Sequence, residues 1–177
     1  MFNDLYKNVA VFLTALLVTY LLTPLVRSWA IRFGVVDLPN ERRPHKFPTA
    51  RGGGLAVVLG VYAASLVALV YPGVSQRSGF DPHWWLDFGL ASLVLLVVGL
   101  VDDIRGLQPW KKLGGQVLAA LLVCFSGTRF GKLFGMEVPP LLDGILVVIW
   151  IVAVINAFNL IDGLDGLASG LAIISSV

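Results

Sequence analysis

Three short polar stretches, each set between apolar runs, hold the residues whose types and spacing suit chemistry. Near the end of the chain stands Asn156-Ala-Phe-Asn159-Leu-Ile-Asp162-Gly-Leu-Asp165-Gly166-Leu-Ala, directly after an apolar run from Leu141 to Ile155. Two carboxamides and two carboxylates follow one another at intervals of three residues. In a continuous helix each such step drifts by roughly 60°, so the four cannot share one face. Asp162 and Asp165 alone can, as an i, i+3 pair. Gly163 and Gly166 loosen the backbone there and let amides approach a ligand. An acidic, Gly-punctuated turn at a membrane surface suits a cation and a phosphate. A polar loop capping the next helix explains it as well, because Asp favours helix N-termini.

The second stretch is Gly99-Leu-Val-Asp102-Asp103-Ile-Arg105. Adjacent carboxylates repel, and at a helix C-terminus they also oppose the macrodipole, so structure gains nothing from them there. A divalent cation, or a proton to be moved, makes sense of the pair. The plain alternative is that both are solvated just beyond an apolar run. Lys111, Lys112 and Gln116 follow; lysines so placed ordinarily reach for lipid headgroups, and either can hold a phosphate.

The third stretch runs Asp37-Leu-Pro39-Asn40-Glu-Arg42-Arg43-Pro-His45-Lys46-Phe-Pro48-Thr49-Ala-Arg51-Gly52-Gly53-Gly54. Its closing glycines precede an apolar run, where helix N–H groups and a positive dipole end can receive an anion. Arg43, Lys46 and Arg51 add charge, and a basic loop held against anionic headgroups is the competing explanation. His45 by itself is a weak signal.

The elements that must position these stretches are membrane spans. The 177 residues are 57% hydrophobic and 14% charged, and apolar runs near the roughly 20 residues that cross a bilayer recur along the chain. Spans are expected at about Leu5–Val26, Gly53–Tyr71, Trp84–Val101, Leu113–Gly127 (the weakest) and Leu141–Phe158, with Leu167–Val177 beginning another. Trp84-Trp85 has the character of an interfacial anchor. The expected fold is therefore all-α: a polytopic transmembrane helical bundle, 1–177 a single transmembrane domain, with five complete spans plus the start of a sixth. Glycines such as Gly60 and Gly99 suit close helix contacts. The single cysteine, Cys124, lies in an apolar run and excludes an intrachain disulfide.

Orientation follows from the links. Arg27, Arg32, Arg42, Arg43, Lys46, Arg51, Arg105, Lys111 and Lys112 fall on one side, and Lys7, Arg77, Arg129 and Lys132 on the other. The richer side is expected to be cytoplasmic and the N-terminus outside. The links at about 27–52, 102–112 and 156–166 then share the cytoplasmic face. Asp81, Asp87, Glu137 and Asp143 fall on or near the outer side and read as structural.

On Pro39-Asn-x-Arg-x-x-His45 with its terminal glycines, Gly99-Leu-Val-Asp-Asp103 with Lys111-Lys-Leu-Gly-Gly-Gln116, and Asn156-Ala-Phe-Asn-Leu-Ile-Asp-Gly-Leu-Asp-Gly-Leu-Ala168, the chain resembles the polyprenyl-phosphate N-acetylaminosugar-1-phosphate transferases. That family includes enzymes that start O-antigen, enterobacterial common antigen and teichoic acid synthesis, and the more distant phospho-MurNAc-pentapeptide translocase. The first motif looks more like the N-acetylglucosamine branch.

The resemblance implies an enzyme of a bacterial inner membrane that moves a sugar-1-phosphate from a UDP-N-acetylaminosugar to undecaprenyl phosphate, with Mg²⁺, releasing UMP. It implies Asp102 and Asp103 near the attacking lipid phosphate as catalytic residues, and Asp162 and Asp165 at the metal. Asn156, Asn159 and Asp165 would serve the nucleotide region, with Lys112, His45 and Arg51 holding phosphate. Membrane lipid is the expected surrounding, no nucleic acid is expected as partner, and a homodimer stays open. Family members have about ten or eleven spans and carry a further acidic motif and a His-rich loop in their later part. The 177 residues are thus expected to be the N-terminal part of a longer transferase and inactive alone. Phospho-MurNAc-pentapeptide transfer, a cation transporter and a non-catalytic membrane piece are the alternatives. The transporter fits less well, because the acids lie at span ends rather than at the bilayer midplane.

Overall fold

The computed structural model describes residues 2–37, 48–70, 82–161 and 167–175. Among them are helices α1 (Phe2–Arg32), α2 (Gly54–Val70), α3 (Pro82–Arg105), α4 (Pro109–Phe125), α5 (Pro140–Ile161) and α6 (Leu167–Ser175). Two small antiparallel ribbons complete the described structure: β1 (Val36–Asp37) with β2 (Thr49–Ala50), and β3 (Lys132–Leu133) with β4 (Met136–Glu137). The protein is an all-α membrane protein. By length and apolarity three helices suffice to cross a bilayer: α1 over Tyr6–Arg32, α3 over Trp84–Arg105, and α5. Of the other two expected spans, α2 is apolar but shorter, and α4 has 17 residues that include Lys111, Lys112 and Gln116.

The chain forms two compact units, residues 1–85 with 95–108, and residues 86–94 with 109–177. In the first, α2 lies along α1. Ala56, Gly60 and Ala64 are buried at intervals of four, a stripe of small residues that lets two backbones approach. A Cβ at Gly60 would collide with the Thr19 hydroxyl and stand 2.9 Å from the Ala15 carbonyl oxygen. The expected close contact at Gly60 is therefore present, whereas a Cβ at Gly99 meets nothing within 4 Å.

Helix α1 runs past the expected span end at Val26 to Arg32. It stops at Gly34, whose φ of 71° is left-handed. There the Gly34 N–H donates to Ile31 O (3.2 Å) and the Val35 N–H to Ala30 O (2.8 Å), with Val35 and Ala30 both buried. This pairing satisfies two carbonyls that a helix end leaves without partners. The turn aims the chain into β1, which pairs with β2 in the register Val36↔Ala50 and Asp37↔Thr49.

In the second unit α4 packs on α5. Ala119, Ala120 and Cys124 of α4 and Val147 of α5 are its buried apolar residues. A Cβ at Gly144 would rest 3.4 Å from Cys124 Sγ. The chain between these helices folds into the β3–β4 ribbon, pinned by Asp143, which is 3% exposed. Its two carboxylate oxygens accept the N–H groups of Phe130 and Gly131, each at 3.0 Å. Asp143, read from the sequence as structural, thus has its carboxylate engaged in holding the ribbon.

Candidate active site

Asp102 and Asp103 lie inside the last turn of α3 rather than beyond the span, because helix continues through Arg105. The helix ends on Gly106, with φ 67°, whose N–H donates to Asp102 O at 2.9 Å. Asp102 Oδ1 accepts the N–H of Leu107, also at 2.9 Å. One carboxylate oxygen of Asp102 thereby closes the end of its own helix and fixes the orientation of the group. Both aspartates are half-buried. Their adjacency puts them about 100° apart around the helix, so they open toward different directions.

In the same unit, Arg51 follows β2, and its Nη2 donates to Asp37 Oδ1 at 3.0 Å. The Arg51 N–H donates to Val35 O, which brings the strand pair against the end of α1. Asp37 was the first residue of the third polar stretch but not among the expected site residues. It shares the Arg51 charge that was expected to serve a phosphate. The glycines after Arg51 start α2 at Gly54, with Leu55 N–H donating to Gly52 O and Ala56 N–H to Gly53 O.

In the second unit, Asn156 and Asn159 lie on the C-terminal turns of α5, still helical, three residues apart and exposed. The Asn156 amide donates to Gln116 Oε1 at 2.7 Å and to Val152 O at 2.8 Å. Gln116 is 3% exposed. The signal for it was a polar residue within an otherwise apolar helix; its pairing with Asn156, 40 residues on, left none. Lys111 and Lys112 occupy the first turns of α4, Lys111 exposed and Lys112 half-buried. His45, Asp162 and Asp165 lie outside the described residues. Among the described residues no three of His, Cys, Asp and Glu gather as a metal-holding group; the expected metal pair, Asp162 and Asp165, lies outside those residues.

What these features define is a multi-helix membrane protein with carboxylates and carboxamides concentrated at the C-terminal ends of apolar helices. The family described as glycosyl transferase family 4 matches residues 85–177. The chain is 37% identical over 93% of its length to a decaprenyl-phosphate N-acetylglucosaminephosphotransferase of Mycolicibacterium smegmatis, covering 42% of that protein. It is 33% identical over 95% of its length to a probable undecaprenyl-phosphate N-acetylglucosaminyl 1-phosphate transferase of Bacillus subtilis, covering 46% of it. A phospho-N-acetylmuramoyl-pentapeptide-transferase of Limosilactobacillus reuteri is 33% identical over 92% of the chain and is covered to 53%. No solved structure matches. The chain belongs to glycosyl transferase family 4, and it spans about half the length of the curated relatives it matches.

Proposed function

We propose that this chain contributes to an active site that transfers an N-acetylaminosugar-1-phosphate, N-acetylglucosamine-1-phosphate foremost, from a UDP-sugar to a polyprenyl phosphate. The observation that carries the reading is the aspartate pair in the closing turn of α3, within a chain whose relatives are named for this transfer to decaprenyl or undecaprenyl phosphate. In the reaction a lipid phosphate oxygen forms a bond to the sugar-bearing β-phosphorus. The bond from that phosphorus to the bridging oxygen breaks, and UMP leaves with the electron pair.

The acceptor is held in the membrane and the donor is water-soluble, so the site belongs at the bilayer surface. On the Lys and Arg bias of the links that surface would face the cytoplasm, with the N-terminus outside, and the membrane would be a bacterial inner membrane. Negative charge accumulates on the diphosphate as the two phosphates approach, and Mg²⁺ would offset it. The hard carboxylate oxygens of Asp162 and Asp165 suit that ion. Asp102, held by the Leu107 N–H, would orient the lipid phosphate, and Asp103 would take or repel charge beside it. Asn156 and Asn159 would receive polar groups of the nucleotide, with Lys112, His45 and Arg51 near phosphate.

A second substrate reading, UDP-MurNAc-pentapeptide, is favoured by the Limosilactobacillus reuteri relative. Both are tested by transfer of radiolabelled sugar-1-phosphate to undecaprenyl phosphate in membranes carrying the full-length protein, with Mg²⁺ or EDTA. Metal-dependent product from UDP-GlcNAc supports the proposal. Product from UDP-MurNAc-pentapeptide alone transfers it to the second substrate, and no product from any UDP-sugar refutes it.

A further inference from the structure

The β3–β4 ribbon turns through Phe134 and Gly135, with φ of 52° and 83°. Two successive left-handed residues make the tight turn whose twist matches a hairpin. Glycine adopts that conformation freely, and asparagine tolerates it. Phenylalanine is a poor choice for it, since its ring offers the turn no hydrogen bond and its Cβ crowds the backbone. The ring is also not packed against the protein: Phe134 is 101% exposed, and Met136 beside it is 70% exposed. A bulky apolar tip stands where neither the turn nor the protein interior rewards it.

The base of the ribbon is rigidly held. Asp143 accepts the Phe130 and Gly131 N–H groups from the first turn of α5, and the Val138 N–H donates to Gly131 O at 3.0 Å. Phe130 then reaches along α5 and meets Trp150 edge-on, with ring centroids 6.3 Å apart. Trp150 lies seven residues beyond Asp143 on α5, about 10 Å down the helix axis. The segment leading into the ribbon is therefore packed along the membrane-crossing helix, and the ribbon springs from the level of that helix's first turn. Around these levels α5 exposes Leu141, Leu142, Ile145 and Ile149, the apolar surface that a bilayer covers. The apolar tip is tied, through Phe130 and Gly131, to the end of the helix where that surface begins.

We propose that the β3–β4 ribbon is a membrane-interface foot. Phe134 and Met136 insert at the boundary between headgroups and acyl chains of the leaflet where α5 begins, while Lys132 and Glu137, paired at 3.9 Å, stay in the headgroup layer. An aromatic ring at this depth removes apolar area from water at a level that aromatic side chains favour, and this reward offsets the turn's strain. The occupant of the surface is lipid, and the inference is independent of any catalytic role.

Nitroxide labels on Phe134→Cys, Met136→Cys and Glu137→Cys test it. Each is placed in the full-length protein on a background with no other cysteine, Cys124→Ala included, in phosphatidylcholine–phosphatidylglycerol vesicles. Collision with oxygen, which concentrates in acyl chains, is compared with collision with the water-soluble nickel complex NiEDDA. Oxygen dominating at positions 134 and 136, with the nickel complex dominating at 137, is the expected result. Dominance of the nickel complex at 134 and 136 puts the tip in water and overturns the proposal. Low collision with both there means that protein covers the tip, which overturns it equally.

Discussion

The side-chain amide of Asn156 donates to the side-chain oxygen of Gln116 across 2.7 Å, joining the last turns of α5 to the body of α4. With Gln116 buried, the carboxamide of Asn156 is held in one orientation at the end of the helix. Gln116→Leu removes the acceptor while keeping most of the volume. A loss of about 1 kcal/mol of stability is expected, the usual scale for a hydrogen bond between helices in a membrane. Thermal unfolding of the detergent-purified protein measures it. In the transfer assay the same variant should raise the KM for the UDP-sugar more than it lowers kcat, and an unchanged KM would refute a positioning role for Gln116.

Asp102 combines a helix-closing bond with proposed chemistry, and two substitutions separate them. Asp102→Asn retains an oxygen to accept the Leu107 N–H, so stability should change by no more than about 0.5 kcal/mol. Transfer activity should fall by roughly 10²-fold or more, the scale of a lost positioned charge or base. Asp102→Ala should lose both activity and stability. Asn matching Ala in its instability would show that the carboxylate's charge, and not its acceptor geometry, holds the turn.

The glycines of α2 and α3 give a matched pair. Gly99→Ala enters open space and should be neutral or stabilising by up to about 1 kcal/mol through helix propensity. Gly60→Ala drives a methyl onto the Thr19 hydroxyl and the Ala15 carbonyl, and overpacking of this kind costs about 1–3 kcal/mol. Thr19→Ala should recover part of the loss, because the carbonyl stays in place. Equal unfolding temperatures for the two single variants would rule out the close crossing of α1 and α2.

Asp143→Asn leaves one oxygen to serve two N–H donors and turns an amide toward the other. Charge-assisted bonds of this sort contribute about 1.5–3 kcal/mol each. Hydrogen exchange at the Phe130 and Gly131 amides should accelerate by at least tenfold, read in the peptide covering the β3–β4 ribbon. Unchanged exchange would mean that the ribbon is held from elsewhere.

The apolar centres of the spans were legible because lipid imposes one requirement, length and apolarity, that composition reports directly. Their ends were less so. Arg27 and Arg32 read as the start of a link, yet hydrogen bonding carries α1 on to Arg32 and only Gly34 stops it. Asp102, Asp103, Asn156 and Asn159 read as leaving their spans for the same reason, and all four are helical. The β3–β4 turn escaped notice because Phe134-Gly135 lacks the asparagine that announces such a turn; the positive-φ glycines at 131 and 135 were its trace. Contacts such as Gln116 with Asn156 and Arg51 with Asp37 depend on how the chain returns on itself, and no local pattern encodes them. Asp143 read as structural from its link alone, and its carboxylate is taken up by the Phe130 and Gly131 N–H groups.

The overrun of α1 also acts as a ruler. From Tyr6 to Val26 the helix is about 30 Å long, the depth of the hydrocarbon layer. Arg27 to Arg32 extend it by roughly another 9 Å, somewhat more than the roughly 5–8 Å of one headgroup layer. Helix length therefore sets how far beyond the apolar segment the β1–β2 ribbon and the Asp37–Arg51 pair are presented. Removing a single turn would sink the ribbon by about 5.4 Å into the headgroups, a displacement larger than the reach of any hydrogen bond.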